Sequence, residues 1–218
     1  MTILALDTTS EHGSVAIRSK GQTLAEVTIH SPEGFAHLIF QAIGRALDKA
    51  GLGLADLDCL AAANGPGSFT GIRVGLSAVK GLAEALGKPA VGVSNLQALS
   101  SFGKNRVRAV VLDARRGEVY SAVYNSDLTV VAPETVSPFP KWLETLMEPD
   151  YEFISPRGNP FWLALQGTRF ADMPFSEVAH PLASAVALCA ERAVWTDPAL
   201  LDANYVRRSD AELFWKDS

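Results

Sequence analysis

The chain of 218 residues has only two cysteines. Cys59 and Cys189 lie far apart in apolar surroundings, which reads as buried thiols in a reducing compartment rather than a disulfide framework. No run of Lys or Arg exceeds two, and the formal net charge is -5. That weighs against a protein holding nucleic acid through phosphate contacts of its own, so any RNA link is expected to be indirect, with Arg207 and Arg208 contributing inside a complex. The opening MTILALDTTS has no basic start, and Asp7 interrupts its apolar run too early for a signal peptide. No stretch approaches ~20 uninterrupted apolar residues, so no membrane span is expected. A cytoplasmic location is the resulting expectation.

Several catalytic signatures are also missing. There is no G-x-S-x-G elbow, and Ser68 has no candidate base near it in sequence, so covalent catalysis has no visible machinery. His30 and His37, seven residues apart, match no common ligand spacing, and no metal site is expected.

What is present is a 48% hydrophobic composition, enough for a sizeable core. TILALD reads as a buried strand, GSVAIRSKGQTLAEVTI as a hairpin around Lys20-Gly21, and FAHLIFQAIGRALDKAG as a helix ending at Gly51. LDCLAAAN gives a strand, residues 71–87 a helix stopped by Gly87 and Pro89, and AVGVS another strand. The order is mixed α/β. A second start, AVVLDARRGEVYSAVY, lies over ILALDTTSEHGSVAI at an offset of 106, with Leu6-Asp7 on Leu112-Asp113 and Ala16 on Ala122. A duplicated unit follows. Six of the twelve prolines fall between 133 and 160, predicting an irregular, turn-rich region, and a helix is expected over 183–195.

The stretch GPGSFTG, between a strand and a helix, raises phosphate binding, because such a turn points backbone N–H groups outward at the positive end of a helix dipole. A Walker loop fails, since Ile72-Arg73 stands where Lys and Ser/Thr are needed. A dinucleotide fold fails as well, since Ser94-Asn95 replaces the ribose-binding acid. An actin-like kinase or ATPase would carry Asp-x-Gly-Thr in its first turn. Here Asp7-Thr8-Thr9-Ser10 puts Thr9 where glycine lets backbone approach phosphate. The candidate nucleotide or phosphate loop is therefore Asp7, Thr8, Gly65, Gly67, Ser68 and Gly71. The plainer reading is a tight strand-to-helix turn.

The helices are more telling. Phe35, Ala36, Ile39, Phe40, Ala42, Ile43, Ala46, Leu47 and Ala50 sweep roughly 160° of arc, against about 100° for a helix lying on one core. In the second helix, Gly71, Gly75, Ala78 and Ala85 form a small-residue ridge beside a bulky one of Ile72, Leu76, Val79 and Leu86, with Arg73, Ser77, Lys80 and Glu84 as a polar wedge. A partner surface and burial inside a layered domain both fit this pattern. The charged turn Asp113, Arg115, Arg116, Glu118 reads by itself as solvated.

Taken in order, ILALDTTSEHGSVAI, GPGSFTGIRVGLSAVKGLAEALGKPAVGVSNLQAL, LDARRGEVYSAVY and ANYVRR resemble the TsaB (YeaZ) family of bacterial tRNA threonylcarbamoyladenosine biosynthesis over essentially the whole chain. The resemblance implies an actin-like (ASKHA, ribonuclease H-like) duplicated α/β fold. Residues 1–103 would form one subdomain carrying the partner helices, and 104–218 a second whose tail returns to the first. It implies a non-catalytic subunit that pairs with TsaD, a catalytic homologue that transfers threonylcarbamoyl to an adenosine beside the anticodon, and is joined by TsaE, an ATPase. Where that homologue has its His-His-x-Glu-Gly-His metal cluster, this chain reads Ser94-Asn95-Leu96-Gln97-Ala98-Leu99, with Asn95 and Leu99 at ligand positions. The implied partner surface is Phe35, Ile39, Ile43, Leu47, Ile72, Leu76 and Val79, and self-pairing through the same helices stays open. No intrinsic cofactor is expected beyond weak ATP or ADP contact at the subunit junction. An actin-like kinase or ATPase is the rival reading; a metallopeptidase lacks ligands here.

Overall fold

The computed structural model describes residues 1–32, 34–157, 161–179 and 182–207. The first sheet is built from β1 (Thr2–Asp7), β2 (His12–Ser19), β3 (Gln22–His30), β4 (Cys59–Gly65) and β5 (Ala90–Ser94), in the order β3-β2-β1-β4-β5. β1, β2 and β3 form an antiparallel meander, while β4 and β5 join in parallel. Parallel neighbours need crossovers. These are α1 (Ile39–Ala50) and α2 (Phe69–Leu86). Both end where predicted, at Gly51 and Gly87 in left-handed conformation, with N–H groups returned to the last helical turn. α1 begins only at Ile39, because residues 35–38 form a turn before the regular helix.

After α3 (Asn95–Ser100) the pattern repeats. The second sheet comprises β6 (Val107–Asp113), β7 (Glu118–Asn125), β8 (Val130–Pro138), β9 (Glu152–Pro156) and β10 (Phe175–Val178), in the order β10-β9-β6-β7-β8. Its first three strands are again antiparallel and the others parallel. The proline-rich stretch is therefore not irregular: it holds β8, α4 (Phe139–Thr145) and β9. Pro133 and Pro138 are tolerated because β8 is an edge strand, and Pro140 because it lies in the first turn of a helix.

The repeat is not exact in register. β1 pairs Asp7 with Ser14, whereas β6 pairs Asp113 with Val119, so the second hairpin turn is one residue shorter. It closes by placing Arg115 (φ 64°), Arg116 (φ 57°) and Gly117 (φ 75°) in left-handed conformation.

Alternation along β1 sends Leu4 and Leu6 to one face, against α1 and α2, and Ile3 and Ala5 to the other. That other face is covered by α6 (Ala183–Ala190), which follows the second sheet in sequence but packs on the first. α3 does the reverse: Leu96 and Leu99 are buried with Val110, Ala122, Tyr124 and Ile154 of the second sheet. α4 and α5 (Phe161–Leu165) cover that sheet's far side through Phe139, Trp142 and Leu165. The layers run α1/α2, first sheet, α3/α6, second sheet, α4/α5. This is the duplicated α/β arrangement of the actin-like, ribonuclease H-like class. α6 stops at Ala190, short of the expected 195. Six of its eight residues are buried, and residues 191–195 are turn, bend and irregular chain.

Candidate functional site

The strand ends β1 and β4 stand side by side, so the turn after Asp7 meets the glycine loop after Gly65. Asp7 is fully buried, and its Oδ1 accepts from the Thr9 N–H at 3.0 Å and the Thr9 hydroxyl at 2.6 Å. The Thr9 carbonyl in turn accepts the Ser68 N–H at 2.7 Å. Thr8 donates its hydroxyl to the Gly71 carbonyl at 2.7 Å. Ser68 caps α2, its Oγ accepting from the Gly71 N–H at 3.3 Å. Asn95, at the start of α3, completes the network by donating its side-chain amide to the Thr9 hydroxyl.

The six candidate loop residues are thus brought together, but around Thr8 and Thr9 of the chain itself. The glycines are needed for that approach. A Cβ on Gly67 would lie 2.7 Å from the Thr9 carbonyl oxygen, one on Gly71 would overlap the Thr8 carbonyl, and one on Gly75 would lie 2.5 Å from the Thr8 hydroxyl. Gly65 meets the C-terminal segment, where a Cβ would lie 2.9 Å from the Asn204 carbonyl oxygen. Backbone donors that would cradle an anion, the N–H groups of Ser68 and Gly71, are spent on Thr9 and on Ser68 Oγ. Gly71 and Gly75 of the small-residue ridge of α2 therefore accommodate the β1–β2 turn, while Ala78 is buried in the core and Ala85 is exposed. Among the described residues, no group of three or more His, Cys, Asp or Glu is placed to hold a metal ion.

The structure places the expected partner-facing set inside the chain's own fold. Phe35, Ile39, Ile43, Leu47, Ile72, Leu76 and Val79 are all buried in the chain's own core, none more than 7% exposed. They fasten α1 and α2 to the first sheet. The excess apolar arc of α1 falls instead on Ala36 and Phe40; Phe40 is 58% exposed. Gln41 and Arg45 of α1 and Ser77 and Gly81 of α2 are exposed as well, with Gly44 and Val74 half-buried. Periodicity identified a wide apolar arc but did not separate the exposed Phe40 at its edge from the buried positions.

The C-terminal segment 201–207 crosses from one sheet to the other as a strap. The Asn204 N–H donates to the Asn64 carbonyl at 2.8 Å, and its side-chain amide to Glu134 Oε2 at 2.6 Å. Glu134 also accepts from Tyr124 at 2.9 Å and from Ser94, tying β8, β7 and the N-cap of α3 together. Burial, then the Glu134 charge, raises the Tyr124 phenol above its ordinary range, so it stays a donor. Tyr205 accepts from Arg73 Nε at 3.2 Å and stacks on Phe69 at 5.5 Å. Arg207 donates to the Ala114 carbonyl at 2.8 Å and pairs with Glu118. Nothing periodic in ANYVRR announces these contacts; its second arginine, Arg208, lies outside the described residues.

Both cysteines are buried, and burial pushes each thiol from the ordinary 9.0 to about 12. Native protein at pH 8 is expected to take up no thiol reagent within minutes and two equivalents after denaturation. Unfolded thiols ionise above pH 9 while the folded ones stay protonated, so native stability falls as pH rises from 9 toward 12. A urea-melt series across that window checks the sign.

With this geometry in hand, comparison with known proteins is specific. A family model described as TsaD: tRNA N6-adenosine threonylcarbamoyltransferase matches residues 24–197. The tRNA threonylcarbamoyladenosine biosynthesis protein TsaB of Bacillus subtilis is 33% identical over 155 residues, a stretch covering 69% of this chain and 68% of that protein. Its Escherichia coli counterpart is 39% identical over 132 residues, 58% of this chain and 56% of its own length. The solved structure of YeaZ from Pseudomonas aeruginosa superposes with a TM-score of 0.71 at 27% identity, covering 94% of this chain and 99% of that one.

Proposed function

The chain belongs to the TsaB (YeaZ) family of tRNA threonylcarbamoyladenosine biosynthesis proteins, and from that we propose that it is a non-catalytic subunit which pairs with a TsaD-like homologue and activates it. What carries the proposal is the clasp at Asp7, Thr9, Ser68 and Asn95. The turn that would face phosphate in an actin-like kinase is filled by the chain's own Thr8 and Thr9, and the Ser68 and Gly71 N–H groups of the loop are already bonded. Asn95 donates its side-chain amide to Thr9, and Leu99, at the other expected ligand position, is an apolar side chain buried against the second sheet that cannot ligate a metal. The units 1–103 and 104–218 act as two inherited halves, with catalysis retained by the partner.

Docking uses the outer face of α1 and α2, around Phe40, rather than the seven buried side chains. A TsaE-like ATPase joins the pair, ATP or ADP binds weakly at the junction between subunits, and the complex works in the cytoplasm. No helix among the described residues is long and apolar enough to cross a membrane. The rival reading, an actin-like kinase or ATPase, would need the clasp to open.

Reconstitution tests this. The isolated chain is expected to hydrolyse neither ATP nor peptides and to retain no stoichiometric transition metal after dialysis. Mixed with a TsaD-like homologue and its ATPase, it should co-elute and raise threonylcarbamoyl transfer to tRNA at least tenfold. ATP turnover by the chain alone that disappears in Asp7→Ala would favour the kinase instead.

A further inference from the structure

A cleft of about 340 Å³ opens where the glycine loop, the β6–β7 turn and the strap meet. The clasp makes no use of it. Its walls include Arg115, Arg116 and Arg207, with Phe69, Tyr120 and Tyr205 beside them. Three features of this cleft point the same way.

The first is charge. The chain as a whole is at -5, yet around this cleft, among the described residues, Arg73, Arg115, Arg116 and Arg207 face Asp113 and Glu118 from the same turn, a local excess of two positive charges. Glu134, under the strap, is held by Tyr124, Ser94 and Asn204. The second is backbone. Arg115 and Arg116 are consecutive non-glycine residues in left-handed conformation, φ 64° and 57°, at positions where Asn or Gly would be less strained. That geometry sends the Arg115 side chain outward, 87% exposed, with its guanidinium 3.4 Å from the Asp113 carboxylate at the cleft rim. The third is the ring pair. Phe69 and Tyr205 stack at 5.5 Å with an interplanar angle of 29°, and the Arg73 guanidinium lies 3.7 Å from the Phe69 ring centre. Each ring nevertheless remains close to half exposed, at 45% and 46%.

Aromatic faces set beside guanidinium groups in a concave site are the chemistry of single-stranded nucleic acid, where a base stacks and its phosphates are neutralised. We infer that this cleft is a direct contact for a single-stranded stretch of the tRNA substrate, with Arg115 and Arg116 on its phosphates and the Phe69–Tyr205 shelf under one base. The inference rests on the proposed function, and it replaces the indirect RNA link that net charge alone suggested. The chain by itself binds tRNA weakly, since -5 repels the phosphate backbone. The cleft acts once the partner has brought the RNA near. An acidic protein surface would also be drawn to these arginines, but the nucleotide-sized concavity and the exposed ring pair favour RNA.

The test uses the complex with the TsaD-like homologue and a double variant, Arg115→Asn with Arg116→Asn, because asparagine tolerates the left-handed turn. Expected are an approximately tenfold loss of tRNA affinity and a matching rise in KM for tRNA rather than a fall in kcat. The dependence of log affinity on log salt should become shallower by roughly 1.4, for two single-strand phosphate contacts. Co-elution with the partner should persist. The charge-preserving pair Arg115→Lys with Arg116→Lys should recover affinity to within about threefold of wild type, which a turn-shaping role would not predict. Unchanged affinity and salt slope in the asparagine variant would overturn the inference. So would loss of co-elution, which would assign the arginines to a protein surface. A wild-type complex that binds tRNA but transfers no threonylcarbamoyl group would sink the proposed function while leaving the cleft's RNA contact standing on the binding data.

Discussion

Gly71→Ala is expected to cost the isolated chain roughly 10 °C in melting temperature, although alanine is the better helix former. Intrinsic propensity would favour the substitution by about 1 kcal/mol. Packing reverses the sign. The new Cβ would overlap the Thr8 carbonyl oxygen and lie 3.3 Å from Ser68 Cβ, and neither is the end of a flexible side chain. Thr8 cannot yield alone, because its turn is fixed by the Asp7 carboxylate on Thr9 and by the Ser68 N–H on the Thr9 carbonyl. Overpacking of this kind costs about 1–3 kcal/mol, and each buried hydrogen bond broken as the turn shifts adds about 1–3 kcal/mol. A net loss of about 3–4 kcal/mol, at roughly 2–4 °C per kcal/mol for a chain of this size, gives the stated drop. Gly81→Ala is the control in the same helix: its Cβ would meet nothing within 4 Å, so it should melt slightly above wild type. Thermal unfolding followed by circular dichroism reads both. If Gly71→Ala melts with Gly81→Ala, the clasp is not tightly packed and the glycine loop needs another explanation.

That contrast shows where sequence reading succeeds and where it stops. Local chemistry was legible: alternation in TILALD, the Lys20-Gly21 turn with φ of 51° and 79°, helix ends at Gly51 and Gly87, and the restart at Asp113 all have their cause within a few residues. The glycine loop was located, but its true occupant, the Thr8-Thr9 turn, lies some sixty residues upstream and leaves no mark in GPGSFTG. Prolines between 133 and 160 misled because an edge strand and a helix first turn tolerate them, and edge status depends on the whole sheet. The end of α6 was unreadable because ASAVALCA is apolar all round and has no periodic face to lose. Periodicity also marks which positions are apolar without saying what covers them. Ile39 and Phe40 are adjacent and both apolar, yet one is 1% and the other 58% exposed.

Those two neighbours supply the sharpest test of docking. A glutamate at Ile39, Ile43, Leu76 or Val79 must place an unpaired carboxylate in the chain's own core, between the helices and the first sheet. The cost is several kcal/mol, a large share of total stability, so these variants are expected to unfold or melt far below wild type. Phe40→Glu disturbs no buried contact of that kind and should leave circular dichroism and melting unchanged. If the outer face of α1 and α2 meets the TsaD-like homologue, however, the substitution removes an exposed aromatic anchor and desolvates a charge in its place. Aromatic anchors at interfaces are commonly worth about 2 kcal/mol or more, and an uncompensated buried charge adds to that. At 1.4 kcal/mol per factor of ten, the dissociation constant should rise at least about 100-fold, with stimulation of transfer lost at concentrations where wild type is saturated. Ser77→Glu, on the exposed side of α2, should weaken pairing in the same direction. Met147→Glu, 85% exposed beyond α4 on the far layer of the molecule, should pair normally. Any self-association of the free chain through these helices would respond to Phe40→Glu as well, visible as a change in sedimentation. A folded Phe40→Glu that co-elutes and stimulates like wild type would remove this face from consideration as the docking surface, whatever the family membership suggests.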